Sequence, residues 1–206
     1  MSSSLFDRGG VRKYLTARER FAFARAACRR GGEIATFCLA LAFTGARISE
    51  VLRLTRDRID LSNGAIIFET LKRRKRGVYR AIPVPPKLLQ MLEHVHELGI
   101  PGRDPRERLW KWGRTTGWKR VKSVMREAKI GCALATPKAA RHAFGVDAVQ
   151  NSVALNVVQK WMGHARIETT AIYADVMGKE ERALARRTWR SLEPAITDQG
   201  SPLGTS

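Results

Sequence analysis

Acidic residues are scarce in this 206-residue chain: 19 Asp and Glu stand against 38 Lys and Arg, for a net charge of +19 and a pI near 11.0. Cysteine is scarcer still. Cys28, Cys38 and Cys132 are odd in number and form no C-x-x-C pair. That argues against a disulfide framework and a thiol-rich metal site, and predicts reduced, buried thiols in a cytosolic protein. The four histidines assemble no zinc motif, because His94 and His96 fall on different sides of a helix. No apolar run approaches the ~20 residues that span a bilayer. The longest candidate, residues 34–43, is too short and contains Thr36. Residues 1–5 lack the charged-then-apolar order of a signal peptide. What is present in quantity is apolar sequence, 44% of the chain, enough for one globular domain with a core.

An excess of positive charge on this scale attracts polyanions and speeds encounter with them. Its clustering argues against a merely basic surface. Lys72, Arg73, Arg74, Lys75, Arg76 and Arg80 lie within nine residues. A second run, residues 103–126, carries nine basic residues against Asp104 and Glu107, with Trp110, Trp112 and Trp118 interleaved. Neither run reads as a basic helix with a broad apolar face, so an anionic membrane is the weaker partner and nucleic acid the stronger.

Thr16 and Glu19 have the spacing of a capping box and open a helix over residues 16–30, which Gly31-Gly32 ends. Residues 33–44 are apolar nearly all round, which predicts a core helix. Gly45 breaks it, and a short helix follows over residues 47–54. Asn63-Gly64 signals a tight hairpin between residues 59–61 and 65–70. Residues 78–84 supply a third strand, with the basic run 72–76 at the second turn. Pro85-Pro86 opens a helix to about residue 98, and residues 101–113 read as a charged loop. A basic helix is predicted over residues 116–129. Thr136-Pro137 opens another to residue 150. Ser152 is expected to cap a helix ending at Gly163, and residues 179–190 read as a last helix. Residues 1–13 are expected to be a flexible basic arm, residues 14–192 one domain, and residues 193–206, rich in Pro, Gly, Ser and Thr, a disordered tail.

Phosphodiester exchange without a metal needs a nucleophile that stays attached to the phosphate, fixed positive charge on the non-bridging oxygens, and a donor for the leaving oxygen. Arginine suits the second task, because its planar fork matches two oxygens and keeps its charge. Three segments carry such residues in order. They are Thr44-Gly45-Ala46-Arg47-Ile48-Ser49-Glu50-Val51-Leu52, Thr136-Pro137-Lys138-Ala139-Ala140-Arg141-His142-Ala143-Phe144, and Gly163-His164 followed by Thr169-Thr170-Ala171-Ile172-Tyr173. Together they resemble the tyrosine recombinases, the phage integrase family. The likeness spans residues 14–190 and includes the nine-residue step from His164 to Tyr173.

The resemblance implies a mainly helical catalytic domain with a small three-stranded antiparallel sheet. It implies site-specific DNA recombination or integration by two transesterifications through a 3′-phosphotyrosine. Arg47 and Arg141 would clamp the phosphate, His164 would donate to one of its oxygens and Tyr173 would attack. Glu50 and His142 would support this set. The general-acid lysine lies on the second β-turn: counting from the strand 66–69 gives Lys72, which is preferred, and counting back from Arg80 and Pro83 gives Lys75. Lys138 stands where the family usually has histidine; it can donate to a phosphate oxygen but is a poor general base near neutral pH. Arg73, Arg74, Lys75, Arg76, Arg80, Lys119, Arg120 and Lys122 are the expected DNA contacts.

No cofactor or metal is expected, because the phosphotyrosine conserves the bond energy. The expected partners are double-stranded DNA and further copies in a tetrameric synapse, in the cytoplasm of a prokaryote with its nucleoid, or encoded by a phage or plasmid. Most relatives carry a helical DNA-clamping domain before the catalytic one, whereas about 15 residues precede the first predicted helix here. Arg8, Arg12 and Lys13, or a partner, are expected to compensate in part. Rival readings are a catalytically degenerate DNA-binding regulator of the same fold, a type IB-like DNA-relaxing topoisomerase, and a basic RNA-binding protein.

Overall fold

The computed structural model describes residues 5–70 and 77–174, so the basic turn 71–76, the predicted helix 179–190 and the predicted tail lie outside the described residues. The first helix, α1 (Ala17–Arg30), starts as the capping box predicts. The Glu19 N–H donates to the Thr16 hydroxyl, and the Thr16 N–H donates to the Glu19 carboxylate at 2.8 Å. Each bond satisfies a backbone donor that a helix start leaves open. The core helix α2 (Gly32–Thr44) buries nine of its 13 residues. It packs against α1, α4 (Pro86–His96) and α6 (Pro137–Gln150). Burying a side chain such as Phe37, fully enclosed here, stabilises the fold by roughly 1.5–3 kcal/mol.

Beyond Gly45, the helix α3 (Ile48–Val51) is shorter than the sequence predicts. The reason is a competing set of partners. Leu109 donates to the Leu54 carbonyl, while the Arg56 and Asp57 N–H groups donate to Glu107 and Pro105. These bonds hold residues 54–57 against residues 105–109, with one 3-10 turn over Arg56–Arg58. The chain then enters a sheet of β1 (Ile59–Asp60), β2 (Ala65–Glu69) and β3 (Tyr79–Pro83), antiparallel in the order β1-β2-β3. The Asp60 carboxylate accepts from Ser62 and Asn63 and fixes the first turn. In β3 exposure alternates, so Arg80 and Ile82 face inward while Tyr79 and Ala81 face out.

In α4, His94 is exposed and His96 buried, as their spacing requires. His96 Nε2 lies 3.1 Å from the Thr36 hydroxyl. Helix α5 (Arg114–Glu127) crosses α1 and α3. The Thr136 hydroxyl accepts from the Ala139 N–H at 3.1 Å, with Pro137 at the first helical position, so α6 begins where predicted. Ser152 does not cap the next helix. It lies at φ 60°, and Ala154 holds the cap position of α7 (Leu155–Met162). One further turn, α8 (Glu168–Ala171), completes the described chain.

Two further expectations are corrected. Residues 5–13 are not a loose arm over the part described. Phe6 bridges Arg12, Lys13 donates to the Leu5 carbonyl, and Leu5, 2% exposed, joins a cluster with Phe144, Val158, Met162 and Tyr173. Of the three cysteines only Cys38 is buried, whereas Cys28 and Cys132 lie on the surface. No described helix is long and apolar enough to cross a membrane.

Candidate active site

The site starts where α2 stops. Gly45 takes a left-handed conformation at φ 59° and turns the chain, placing Arg47 in extended geometry at the start of α3. A side chain at Gly45 would also run into the Phe144 ring, so both backbone and packing require glycine. The Glu50 carboxylate accepts from the Arg47 N–H at 2.8 Å and from Arg47 Nη1 at 3.0 Å. Glu50 has no exposed side-chain surface. Burial alone would raise its pKa, but the charge of Arg80, then the bond from the Arg47 backbone, hold it below the usual carboxylate range.

Arg141 reaches from α6 to two helix ends. Its Nη1 donates to the Gly45 carbonyl at 2.6 Å and its Nη2 to the Met162 carbonyl at 2.7 Å. Both carbonyls sit at helix C-termini, where positive charge is favoured. Burial, then the charge of Arg47, pushes the Arg141 pKa down to about 10. An arginine destabilised by its neighbours in this way marks a place where an anion would be welcome.

Tyr173 lies beside this pair. Its ring stacks against Gly145 of α6 and runs nearly parallel to the His164 ring, 9° between planes and 6.4 Å between centroids. Its hydroxyl is 3.1 Å from His142 Nδ1. Tyr173 is 1% exposed, and burial pushes its pKa up to about 12 even though Arg141 and Arg47 both pull it down. Gly163 ends α7 at φ 63° and delivers His164, whose Nδ1 is 2.9 Å from the Thr170 hydroxyl. Burial, followed by the charges of Arg141 and Arg47, lowers the His164 pKa to about 3. Burial and Lys138 lower that of His142 to about 4. Both imidazoles are therefore neutral near pH 7.

The structure thus gathers Arg47, Glu50, Arg141, His142, His164 and Tyr173, and leaves Lys138 exposed at the start of α6. Lys119 is exposed on α5. Lys122 lies 4.8 Å from the Trp118 ring and Arg120 4.4 Å from the Trp112 ring. Trp110 faces the core, fully buried, and donates to the Glu33 carbonyl. Arg80 is corrected. Expected among the DNA contacts, its side chain is 3% exposed and its nitrogens donate to Glu50, Thr70 and the Trp161 carbonyl. Its alternation with Ile82 in β3 is the sequence signal for that burial. Lys72, Arg73, Arg74, Lys75 and Arg76 lie outside the described residues. Residues that sequence reasoning missed are Gly145 and Thr70, whose roles depend on contacts across the fold; Thr170 belongs to the third motif, and its bond to His164 shows only in the structure.

A helical domain with a small sheet, bringing two arginines, a histidine and a tyrosine together from separate elements, is the arrangement that the three sequence segments predict. The chain belongs to the phage integrase family, which it matches over residues 14–180. It is 29% identical over 152 residues to tyrosine recombinase XerA of Pyrococcus furiosus, covering 70% of this chain and 50% of that protein. It is 32% identical over 142 residues to tyrosine recombinase XerD of Shewanella oneidensis, covering 65% of this chain and 46% of that protein. The chain therefore spans about half the length of the curated relatives it matches. Its fold is similar to the crystal structure of XerA recombinase, with a TM-score of 0.68, 20% identity and coverage of 86% and 64% of the two chains. It is also similar to the catalytic domain of bacteriophage HP1 integrase, with a TM-score of 0.61, 21% identity and coverage of 84% and 93%.

Proposed function

We propose that this chain is the catalytic domain of a site-specific DNA recombinase or integrase that cuts and rejoins strands through a 3′-phosphotyrosine. The observation that carries this reading is a charge imbalance. Arg47 and Arg80 both bond to the one carboxylate of Glu50, at 3.0 and 2.7 Å, and Arg141 lies close enough to feel the charge of both arginines. Such a set calls for an anion, and Tyr173 and His164 stand beside it. The relatives named tyrosine recombinase and the order of the three motifs point to DNA as the source of that anion.

In the first step Arg47 and Arg141 hold the non-bridging oxygens of the scissile phosphate. Thr170 donates to His164 Nδ1, leaving the proton on Nε2 for a phosphate oxygen. Tyr173 Oη attacks phosphorus and its proton passes to His142 Nδ1, neutral and 3.1 Å away. The bond from phosphorus to the 5′-oxygen breaks, and that oxygen takes a proton from Lys72. The reverse reaction with a second 5′-hydroxyl rejoins the strands. Exchange between two duplexes requires several such sites, so the chain assembles with further copies on DNA. Because Tyr173 is 1% exposed, the groups that cover its hydroxyl have to open for the phosphate to reach it while the ring stays seated against Gly145, and DNA binding supplies that change.

The test is covalent trapping on a nicked suicide duplex carrying the recognised site. Wild-type protein should accumulate a DNA adduct, while Tyr173→Phe should bind with unchanged affinity and form none. A wild-type protein that binds the site and traps nothing would favour the DNA-binding regulator instead.

A further inference from the structure

Arg80 is too deeply buried to meet DNA, yet it is the most heavily bonded arginine around the site. We propose that Arg80 is a positioning residue that sets the phosphate clamp through Glu50 and couples it to the base of the lysine-bearing turn and to the end of α7 that presents His164. The proposal rests on the recombinase reading above.

Each Arg80 nitrogen has a separate task. Nη2 donates to Glu50 Oε2 at 2.7 Å, Nη1 to the Thr70 hydroxyl at 3.0 Å, and Nε to the Trp161 carbonyl at 2.7 Å. Glu50 Oε2 also accepts from the Arg47 N–H, while Oε1 accepts from Arg47 Nη1. One carboxylate therefore fixes Arg47 and is itself fixed by Arg80. Thr70 donates its N–H to the Val78 carbonyl, the pair that flanks the basic stretch predicted as a turn. Trp161 and Met162 are consecutive, and their carbonyls accept from Arg80 and Arg141 respectively. The end of α7 is thus held by two guanidinium groups, two residues before His164.

The surroundings are shaped for this side chain. Its guanidinium carbon lies 5.3 Å from the centre of the Phe68 ring, its partner across the strands. At Gly163 a side chain would begin 3.0 Å from that same carbon, so the glycine gives the guanidinium room as well as ending the helix. A planar group with rigidly oriented donors can serve three acceptors at once, which a lysine ammonium on a flexible stem cannot do with the same geometry. Small errors at such a hub are transmitted to the reacting atoms, where a displacement of ~1 Å costs on the order of 10²-fold in rate.

The experiment measures adduct formation at saturating protein on two nicked duplexes, one with a normal scissile phosphate and one with a neutral methylphosphonate there. The proteins are wild type, Arg80→Lys and Thr70→Val. Thermal unfolding and DNA affinity are recorded for each. Arg80→Lys should bind DNA as wild type does and form adduct about 10²-fold more slowly on the phosphate. On the methylphosphonate, which needs less positive charge, its deficit should shrink to a few-fold. Thr70→Val keeps the charge pair and removes one acceptor, so it should show a smaller deficit on the phosphate and reports on the hub even if Arg80→Lys fails to fold. An equal deficit on both substrates would make Arg80 a purely structural residue. An unchanged rate in both variants, or a loss of affinity alone, would overturn the proposal. Absence of adduct with wild-type protein would be a different failure, that of the recombinase reading itself.

Discussion

Replacing Gly145 by alanine should slow strand cleavage far more than it destabilises the fold. A methyl group there would begin 2.5, 2.6 and 2.7 Å from the Cζ, Cε1 and Cε2 atoms of Tyr173. Ordinary carbon contacts lie at about 3.5–4.0 Å, so the ring must retreat by about 1 Å. The helix cannot yield in its place, because Gly145 is buried in the middle of α6. Over-packing of this kind costs about 1–3 kcal/mol, and the better helix propensity of alanine returns about 1 kcal/mol. The net loss is roughly 0–2 kcal/mol, which at about 2–4 °C per kcal/mol is a modest fall in Tm. Displacing the nucleophile by ~1 Å should reduce adduct formation by about 10²-fold. Differential scanning calorimetry and time-resolved trapping on a suicide duplex measure the two effects on one preparation. Adduct formation at the wild-type rate would refute the reasoning, since it would mean that the ring has left Gly145 before it reacts.

Further outcomes follow from the same contacts. Glu50→Gln removes the carboxylate that Arg47 and Arg80 share and should cost about 3–5 kcal/mol in denaturant unfolding, as breaking one side of a buried pair does. Acid should destabilise the protein in the histidine range. His142 and His164 titrate at about 4 and about 3 when folded and at 6.5 when unfolded, so the unfolded chain binds protons first. Their contribution is complete above pH 6.5 and is lost as pH falls towards 4 and 3, which a series of thermal melts would show and His164→Ala should flatten. Alkali acts through Tyr173 in the opposite sense, its contribution falling between pH 10 and about 12. Thr136→Ala deletes the cap of α6 and should cost about 1 kcal/mol in the same unfolding assay.

Much of the fold was legible where local chemistry decides the outcome. The Thr16–Glu19 capping box, the Thr136-Pro137 start and the Asn63-Gly64 turn each fix a boundary through bonds made within a few residues. Legibility failed where distant partners decide. Nothing near Leu52 announces that residues 54–57 will pair with residues 105–109 instead of continuing a helix. Ser152 has cap chemistry, but the chain turns through φ 60° there and starts α7 later. Residues 5–13 read as an arm because their composition is basic and glycine-rich, and the pair Leu5-Phe6 is the one local sign of an anchor.

At the site the ordered motifs identified Arg47, Arg141, His164 and Tyr173, and the structure brings them together. For Arg80 charge masks pattern: its place beside the cations of residues 72–76 suggests a DNA contact, although its step of two from Ile82 puts it on the inner face. Gly145 carries no chemistry of its own and acquires a role only when a residue 28 positions further on lies across it. The turn lysine retains its two alternatives, Lys72 and Lys75, and separate Lys72→Ala and Lys75→Ala variants on a substrate with a 5′-thiolate leaving group would distinguish them. That group departs without a proton and should rescue only the variant lacking the acid.

The most direct measurement is peptide mapping of a trapped protein–DNA adduct by mass spectrometry. The account predicts one modified residue, Tyr173, bearing a 3′-linked nucleotide, and loss of the modification in Arg47→Ala and Arg141→Ala proteins that remain folded and bound to DNA. Attachment at Tyr14 or Tyr79, or an adduct indifferent to both arginines, would contradict it.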